Sequence, residues 1–374
     1  MQESLDEDDL ALIHALQICP RGSWADLAAI IGSSAATLAK RWTRLTEAGL
    51  AWITAYPHPA TMPNHVVGLI EIDAAAPILD DLSRLLATER RAVHISHQVR
   101  GGLLLTVIAG SLDDFSQLLL GDLATMSETR VTNHVITRSH LEASRWRLNA
   151  LEPRQIQQLQ RLEAGSVDAR TPDLRALTPS MLTIAEALVR DGRASAKTIA
   201  EQIDRPDSTV RRQLGALLRS RALSFRCEIA QSYTRWPVTV SFWCRTPAVD
   251  RPRLLDQLMS EPRVRTCMSV AGRANFVVTI WVESISEILP FQEWLESYMP
   301  SGEILDTSIV LQATKRMGWI LEPDGRASGT VVPYVVTGPS ETVAEERPRA
   351  HSDGGGNSHE NSSTSPAQRS SRRS

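Results

Sequence analysis

The chain has 374 residues, enough for two to four domains with sizeable hydrophobic cores. Its formal net charge of −3 excludes a generally cationic nucleic-acid coat, so any DNA contact has to come from local basic patches. Cys19, Cys227, Cys244 and Cys267 lack CxxC or Cys/His spacing, which argues against structural zinc and a disulfide framework, and no apolar run approaches a membrane span. With an acidic start, Met1-Gln2-Glu3-Ser4-Leu5-Asp6, where a signal peptide would be basic, a cytoplasmic protein with reduced thiols is expected.

Leu5, Leu10, Ile13 and Leu16 mark a first amphipathic helix, with Asp6 placed to cap it. A short helix, Trp24 to Ile31, follows the break at Pro20-Arg21-Gly22-Ser23. Gly32 then relieves a turn, and Ser34 stands where its hydroxyl can cap a third helix. At about 100° per residue, Leu38, Trp42 and Leu45 share one face of that helix, while Lys40, Arg41 and Arg44 lie opposite. One face is core and the other cationic, as in a recognition helix; a plain surface helix with a solvated basic side is the alternative. Leu50 to Tyr56 alternates as a strand and completes a winged helix-turn-helix, which Pro57 and Pro59 end.

Past Pro63 the periodicity predicts strand Val66–Ile72, helix Pro77–Ala87, strands Ala92–Val99 and Leu103–Ala109, helix Leu112–Leu123 and strand Arg130–Thr137. That βαββαβ order is a ferredoxin-like unit, an antiparallel sheet with both helices on one face. Residues 141–176 read as a polar connector with a helix near Gln155 to Leu162. The pattern then restarts: Leu177, Leu182, Ala185 and Leu188 stand 172 residues beyond Leu5, Leu10, Ile13 and Leu16, and Thr209, Val210 and Leu217 keep register with Thr37, Leu38 and Leu45. In the second recognition stretch Pro206 replaces a capping serine, leaving Asp204 or Asp207 to cap. The second βαββαβ set is Val238–Cys244, Arg251–Met259, Arg265–Val270, Phe276–Val282, Ser286–Tyr298 and Ile304–Leu311. From about Pro323 the composition turns to Gly, Ser, Pro, Glu and Arg and predicts disorder, with one apolar island at Val331 to Val336 that a docking strand would use.

The expected fold is therefore α+β, with two winged helix-turn-helix domains alternating with two ferredoxin-like domains. The boundaries are a first head at 1–58, a first sheet domain at 64–140, the connector at 141–176, a second head at 177–230, a second sheet domain at 234–320 and a disordered tail at 323–374. A period this long is a domain-pair duplication rather than a solenoid.

Leu5-Asp6-Glu7-Asp8-Asp9, Leu27-Ala28 to Gly32-Ser33-Ser34, Asp191-Gly192-Arg193-Ala194-Ser195, and Val270-Ala271-Gly272-Arg273-Ala274-Asn275-Phe276 carry a resemblance to the Lrp/AsnC, or feast/famine, transcription regulators of bacteria and archaea. The chain resembles two such proteins fused head to tail, over residues 5 to 318. The resemblance implies AsnC-type (RAM) sheet domains that pair, a sequence-specific DNA-binding regulator, a homodimer or higher oligomer, and a small effector, often an amino acid, at the glycine turn of the sheet domain. In the first half Pro20-Arg21-Gly22-Ser23 replaces the family's Asp-Gly-Arg-x-Ser, and the glycine turn is shortened at Val99-Arg100-Gly101-Gly102-Leu103.

For double-stranded DNA, the candidate contacts are Ser33, Ser34, Thr37, Lys40, Arg41 and Arg44 in the first head and Arg205, Ser208, Thr209, Arg211 and Arg212 in the second. Arginine suits either phosphate or base, and the small residues permit close approach. For the effector, Gly272, Arg273 and Asn275 are candidates, with Gly101 and Gly102 as a second turn; freed backbone N–H groups can take a carboxylate, and a tight turn without ligand is the alternative. Siroheme decarboxylases share this architecture and resemble one another through an Arg-Arg-Phe/Tyr-Gly-Ala segment followed by His-Arg. Here Ala55-Tyr56-Pro57-His58-Pro59-Ala60 and Arg226-Cys227-Glu228-Ile229-Ala230-Gln231-Ser232 stand in those places without the pattern. His94, His97, His134 and His140 lack a carboxylate spaced to complete a metal set. The expectation is a regulator without catalytic residue, metal or cofactor, and a siroheme decarboxylase-like enzyme is the alternative.

Overall fold

The structure, a computed structural model, describes residues 5–58, 64–126, 128–166 and 179–334. The first head is α1 (Glu7–Ile18), α2 (Trp24–Ile31) and α3 (Ala35–Glu47). Asp6 caps α1 in a reciprocal box with Asp9, Ser23 caps α2, and the Ser34 hydroxyl accepts the Thr37 N–H at 3.0 Å. Gly32 ends α2 at φ +83°, a left-handed conformation that admits glycine without strain. Leu12, Ile13, Leu16, Leu27, Leu38, Trp42 and Leu45 meet as one buried core.

The strand after the head, β1 (Ala51–Pro57), departs from the expected local wing. It pairs antiparallel with β6 (Leu223–Ile229) of the second head, from Ala51 opposite Ile229 to Pro57 opposite Leu223. Residues 51 to 55 are all buried, so both faces of β1 need cover that one head cannot supply. The cover is exchanged: α1 packs on β6, and α7 (Pro179–Arg190) packs on β1. Part of the stretch read as connector also joins this core, because α6 (Pro153–Ser166) lies on α1 and α2 and brings in Trp146, Leu148, Leu151 and Leu159.

In the second head, α8 (Ala196–Ile203) and α9 (Asp207–Ser220) follow α7. Neither aspartate caps α9, contrary to expectation. Asp204 ends α8 at φ +50°, Asp207 is already the first helical residue, and Pro206 occupies the cap with no side-chain bond.

The two sheet units are β2 (Val66–Ala74), α4 (Ala76–Ala87), β3 (Ala92–Gln98), β4 (Leu103–Ala109), α5 (Leu112–Ser116) and β5 (Thr129–Leu141), then β7 (Val238–Arg245), α10 (Arg251–Leu258), β8 (Val264–Ala271), β9 (Phe276–Val282), α11 (Ile288–Ser297) and β10 (Glu303–Arg316). The helix expected over 112 to 123 is α-helical only to Ser116 and continues as a π-helix, Gln117–Leu123. Bonding from i to i+5 turns Leu118 and Leu123 toward the same core as Phe115.

The long strands close the sheet. β5 pairs with β2 along Thr129–Val135 and with β8 along Val135–Leu141. β10 pairs with β7 along Glu303–Ile309 and with β3 along Val310–Arg316. The ring β3-β4-β2-β5-β8-β9-β7-β10 is thus complete, with α4 and α5 covering one half from outside and α10 and α11 the other. Alternation along each strand sends every second residue inward.

The chain stays ordered past Pro323, against the expected tail. β11 (Trp319–Leu321) and β12 (Ala327–Val331) form a hairpin beside β10, turned by Gly325 at φ +86°. Trp319 stacks on Trp52 at 5.7 Å and donates its indole N–H to the Val189 carbonyl, and Tyr334 is buried. Residues 335–374, the rest of the expected tail, lie outside the described residues. Among the described residues all four cysteines are free and buried, and no helix is long and apolar enough to cross a membrane.

His14 gives this fold a pH dependence. It is 2 % exposed and its Nδ1 accepts the Ala150 N–H at 3.3 Å, which ties α1 to the segment before α6. Burial, with Arg147 adding repulsion, pushes its pKa down to about 4. The unfolded chain takes up this proton near pH 6.5 and the folded one only near 4, so the stabilisation is complete above pH 6.5 and is lost as the pH falls. Urea titrations should show about 3 kcal/mol lost between pH 6.5 and 4; an equal loss in His14→Gln would assign it elsewhere.

Candidate nucleic-acid interface and ligand cavity

On α3, Ser33, Ser34, Thr37 and Lys40 are exposed as a groove-facing row requires. The two arginines are held differently. Arg41 reaches Asp6 at 2.8 Å, Asp8 at 2.6 Å and Asp9 at 2.9 Å, and Arg44 reaches Asp9 at 2.5 Å. The hydrogen bond that Arg41 donates to Asp6 raises the Arg41 pKa further above its ordinary value. Three carboxylates from the start of α1 neutralise the basic side of α3. The acids lie over thirty residues upstream in the Asp-Glu-Asp-Asp run, so the helical spacing of α3 alone does not reveal the pairing.

On α9, Ser208, Arg211 and Arg212 are exposed and Thr209 is half-buried. Arg211 pairs with Asp207 at 2.8 Å, one helical turn away, and Arg205 donates to the Ser180 carbonyl at 2.9 Å. Arg212 has no hydrogen bond or ion pair among the described residues. The two heads therefore expose different side chains.

Reciprocal arginines lock the heads together. Arg21 donates to the carbonyls of Gly192 and Ala194, and Arg193 donates to those of Pro20 at 2.7 Å and Gly22 at 2.8 Å. The Arg193 guanidinium lies 3.9 Å over the Trp24 ring. A Cβ at Gly192 would come within 2.3 Å of Ile53, so only glycine permits this approach.

Around Gly101 a Cβ would meet nothing within 4 Å, whereas the chain itself fills the space at Gly102 and Gly272. Gly101 and Gly102 both have φ +88°, and a Cβ on Gly102 would lie 2.5 Å from the Ile72 carbonyl oxygen. A Cβ on Gly272 would lie 2.3 Å from the His134 ring, whose Nε2 faces the Ala274 N–H at 3.3 Å. The Asn275 side chain accepts the Thr246 N–H at 2.8 Å and donates to the Thr246 carbonyl at 3.0 Å. The Arg273 side chain remains exposed beside them.

A cavity of about 280 Å³ lies inside the ring of strands. Leu69, Met268 and Val277 supply apolar wall, Thr106 and Thr279 hydroxyls, and Trp243 and Trp281 flat faces. Arg226, Arg265, Arg316 and His94 also line it. All three arginines converge on Glu228, itself 1 % exposed: Arg226 forms a close ion pair with it, Arg265 stands at 3.2 Å and Arg316 at 3.8 Å. Arg265 also lies 4.1 Å over the Trp281 ring. Burial, then the charges of Arg316, Arg226 and Arg265, pushes His94 down to about 3, which keeps it neutral at physiological pH. Three cations thus face one carboxylate in a desolvated place. In sequence Arg226 and Glu228 stand out only for departing from the decarboxylase pattern, and the signal for the cavity is an arginine, Arg265, inside a strand with no other charged residue. Among the described residues there is no cluster of His, Cys, Asp and Glu fit to hold a metal.

Residues 5–46 match the AsnC-type helix-turn-helix domain, the DNA-binding part of a regulator family. No curated protein sequence matches the chain. Among solved structures it is similar to the siroheme decarboxylase NirDL in complex with an iron-uroporphyrin III analogue, at 14 % identity and TM-score 0.52 over 83 % of this chain and 93 % of that one. NirDL without the analogue gives 13 % identity and TM-score 0.50 with the same coverage. An AsnC family transcriptional regulator from Agrobacterium tumefaciens is 17 % identical, with TM-score 0.31 over 36 % of this chain and 91 % of that one. The expectation that the chain is not an enzyme is contradicted by this likeness, because the structures it resembles over 83 % of its length are those of an enzyme, at 13 % and 14 % identity.

The ion pairs of Arg41 make a specific prediction. Arg41→Ala should lower stability by about 1–2 kcal/mol, because the cap residue Asp6, Asp8 and buried Asp9 each lose a charged partner, Asp9 keeping Arg44. It should leave the salt dependence of DNA binding unchanged; a slope reduced by about one unit would make Arg41 a phosphate contact after all.

Proposed function

We propose that the chain is a sequence-specific, effector-responsive DNA-binding regulator of a tandem Lrp/AsnC type, carrying two unlike heads on one chain. The observation that carries this reading is the AsnC-type helix-turn-helix at 5–46, held by strand exchange to a second three-helix head. Each head has its own contact set. In the first, Ser33, Ser34, Thr37 and Lys40 approach the groove while Arg41 and Arg44 brace α3 against α1. In the second, Ser208, Thr209, Arg211 and Arg212 do so, with Arg212 as the phosphate cation. The 172-residue internal register supports descent of both halves from one unit, and a second copy of the chain would add further heads.

Arg212→Ala should weaken binding to its DNA site with a native circular dichroism spectrum, and lower the slope of log K against log salt by about one unit. An unchanged affinity and slope would mean that the second head does not grip DNA.

A second reading is a siroheme decarboxylase-like enzyme, favoured by the fold shared with NirDL over 83 % of the chain. Under it, siroheme incubated with the chain changes its absorption spectrum and loses mass as carbon dioxide. An unaltered spectrum and mass would remove that reading.

A further inference from the structure

The barrel cavity has a charge imbalance that the DNA-binding reading leaves unexplained. Arg226, Arg265 and Arg316 bring three positive charges to the one buried carboxylate of Glu228, with Glu142 near Arg226 as a second negative charge and Arg316 also donating to the Ile229 carbonyl and to Gln231. The side chains of the three arginines and Glu228 are each at most 12 % exposed. Desolvated charge without a partner is costly, and breaking such pairs typically costs several kcal/mol, so a cavity walled by excess guanidinium favours an anionic occupant. Arginine's planar fork matches an oxyanion in particular.

Trp243, 3 % exposed, contributes to the wall of the same cavity. The rest of the wall mixes apolar residues with His94, Gln231 and Gln312, and two of its hydroxyls, Ser241 and Thr279, bond each other at 2.9 Å. A volume of about 280 Å³ is at the lower end of small-molecule pockets, which excludes a bulky occupant without rearrangement.

We propose that the interior of the strand ring is a binding site for a small carboxylate with a flat apolar body, its carboxylate held by Arg226, Arg265 and Arg316 and its body against Trp281 and Met268. The site is separate from the glycine turns, where the chain's own atoms fill the space at Gly102 and Gly272. For its consequence at the heads it rests on the regulator reading, because Arg226 and Glu228 belong to β6, the strand that pairs with β1 between the heads. For binding itself it does not.

The test uses the full chain and calorimetry with three probes of similar shape: phenylacetate, phenyl phosphate and 2-phenylethanol. Phenylacetate should bind at one site per chain, while the neutral alcohol should not bind at the same concentrations. Arg265→Gln should weaken phenylacetate at least tenfold, and Arg84→Ala, exposed on α4 outside the ring, should leave it unchanged. Because Arg265→Gln disturbs a buried ion pair, Thr106→Phe provides a second variant that fills the cavity without removing any charge. In a folded Thr106→Phe protein the binding should disappear. Unchanged affinity in that variant, failure of phenylacetate to bind the wild type, equal binding of the alcohol, or tighter binding of phenyl phosphate would each overturn the proposal. A DNA mobility shift run with and without phenylacetate separates the two readings: DNA binding without calorimetric heat sinks the cavity site alone, and heat without DNA binding sinks the regulator alone.

Discussion

One buried carboxylate joins the parts of this molecule. Glu228 sits on β6, opposite Trp52 of β1, and is therefore part of the strand pair that holds the heads. Its partners Arg265 and Arg316 belong to β8 and β10, two strands of the closed ring. Arg316 also donates to the Ile229 carbonyl at 3.2 Å, again on β6. In a desolvated setting these bonds are strong because water does not compete for them, and they are costly to break because each leaves a charge without a partner. The heads thus cannot move relative to the ring without disturbing the wall of the cavity.

Much of the local structure was legible in the sequence because its causes are local. Asp6, Ser23, Ser34 and Gly32 act on backbone groups within a few residues, and the apolar spacing of Leu38, Trp42 and Leu45 defines a face without outside help. The order of strands and helices in both sheet units was legible for the same reason. What escaped reading depended on partners far along the chain. β1 looks like an ordinary alternating strand, yet its neighbour is more than a hundred and fifty residues away. The acids of α1 and the arginines of α3 were each visible, but only the packing of α1 against α3 makes them neutralise one another.

The cavity was hidden for a related reason. Thr106, Ser241 and Thr279 are polar breaks in apolar strands, and a single open sheet would place them toward solvent. Closure by β5 and β10 turns that face into an interior. The same closure explains why the second sheet strand tolerates an arginine at 265: its charge points into a space it shares with Glu228 and the Trp281 ring. The candidate site in the heads was legible as a set of exposed side chains on α3 and α9, but which cations are free was decided by tertiary contacts.

The ring of eight strands has one further consequence. When two identical subunits close such a ring, every substitution appears twice, once on each side of the symmetry axis, and any gain on one face has to be tolerated on the other. Here each ring position is occupied by one residue of one chain, so His94 and Ser96 can line one wall while Thr279 and Trp281 line another. A single-chain ring lets its two sides evolve apart, and the lopsided distribution of arginine around Glu228 is a chemistry that a symmetric dimer would have to duplicate.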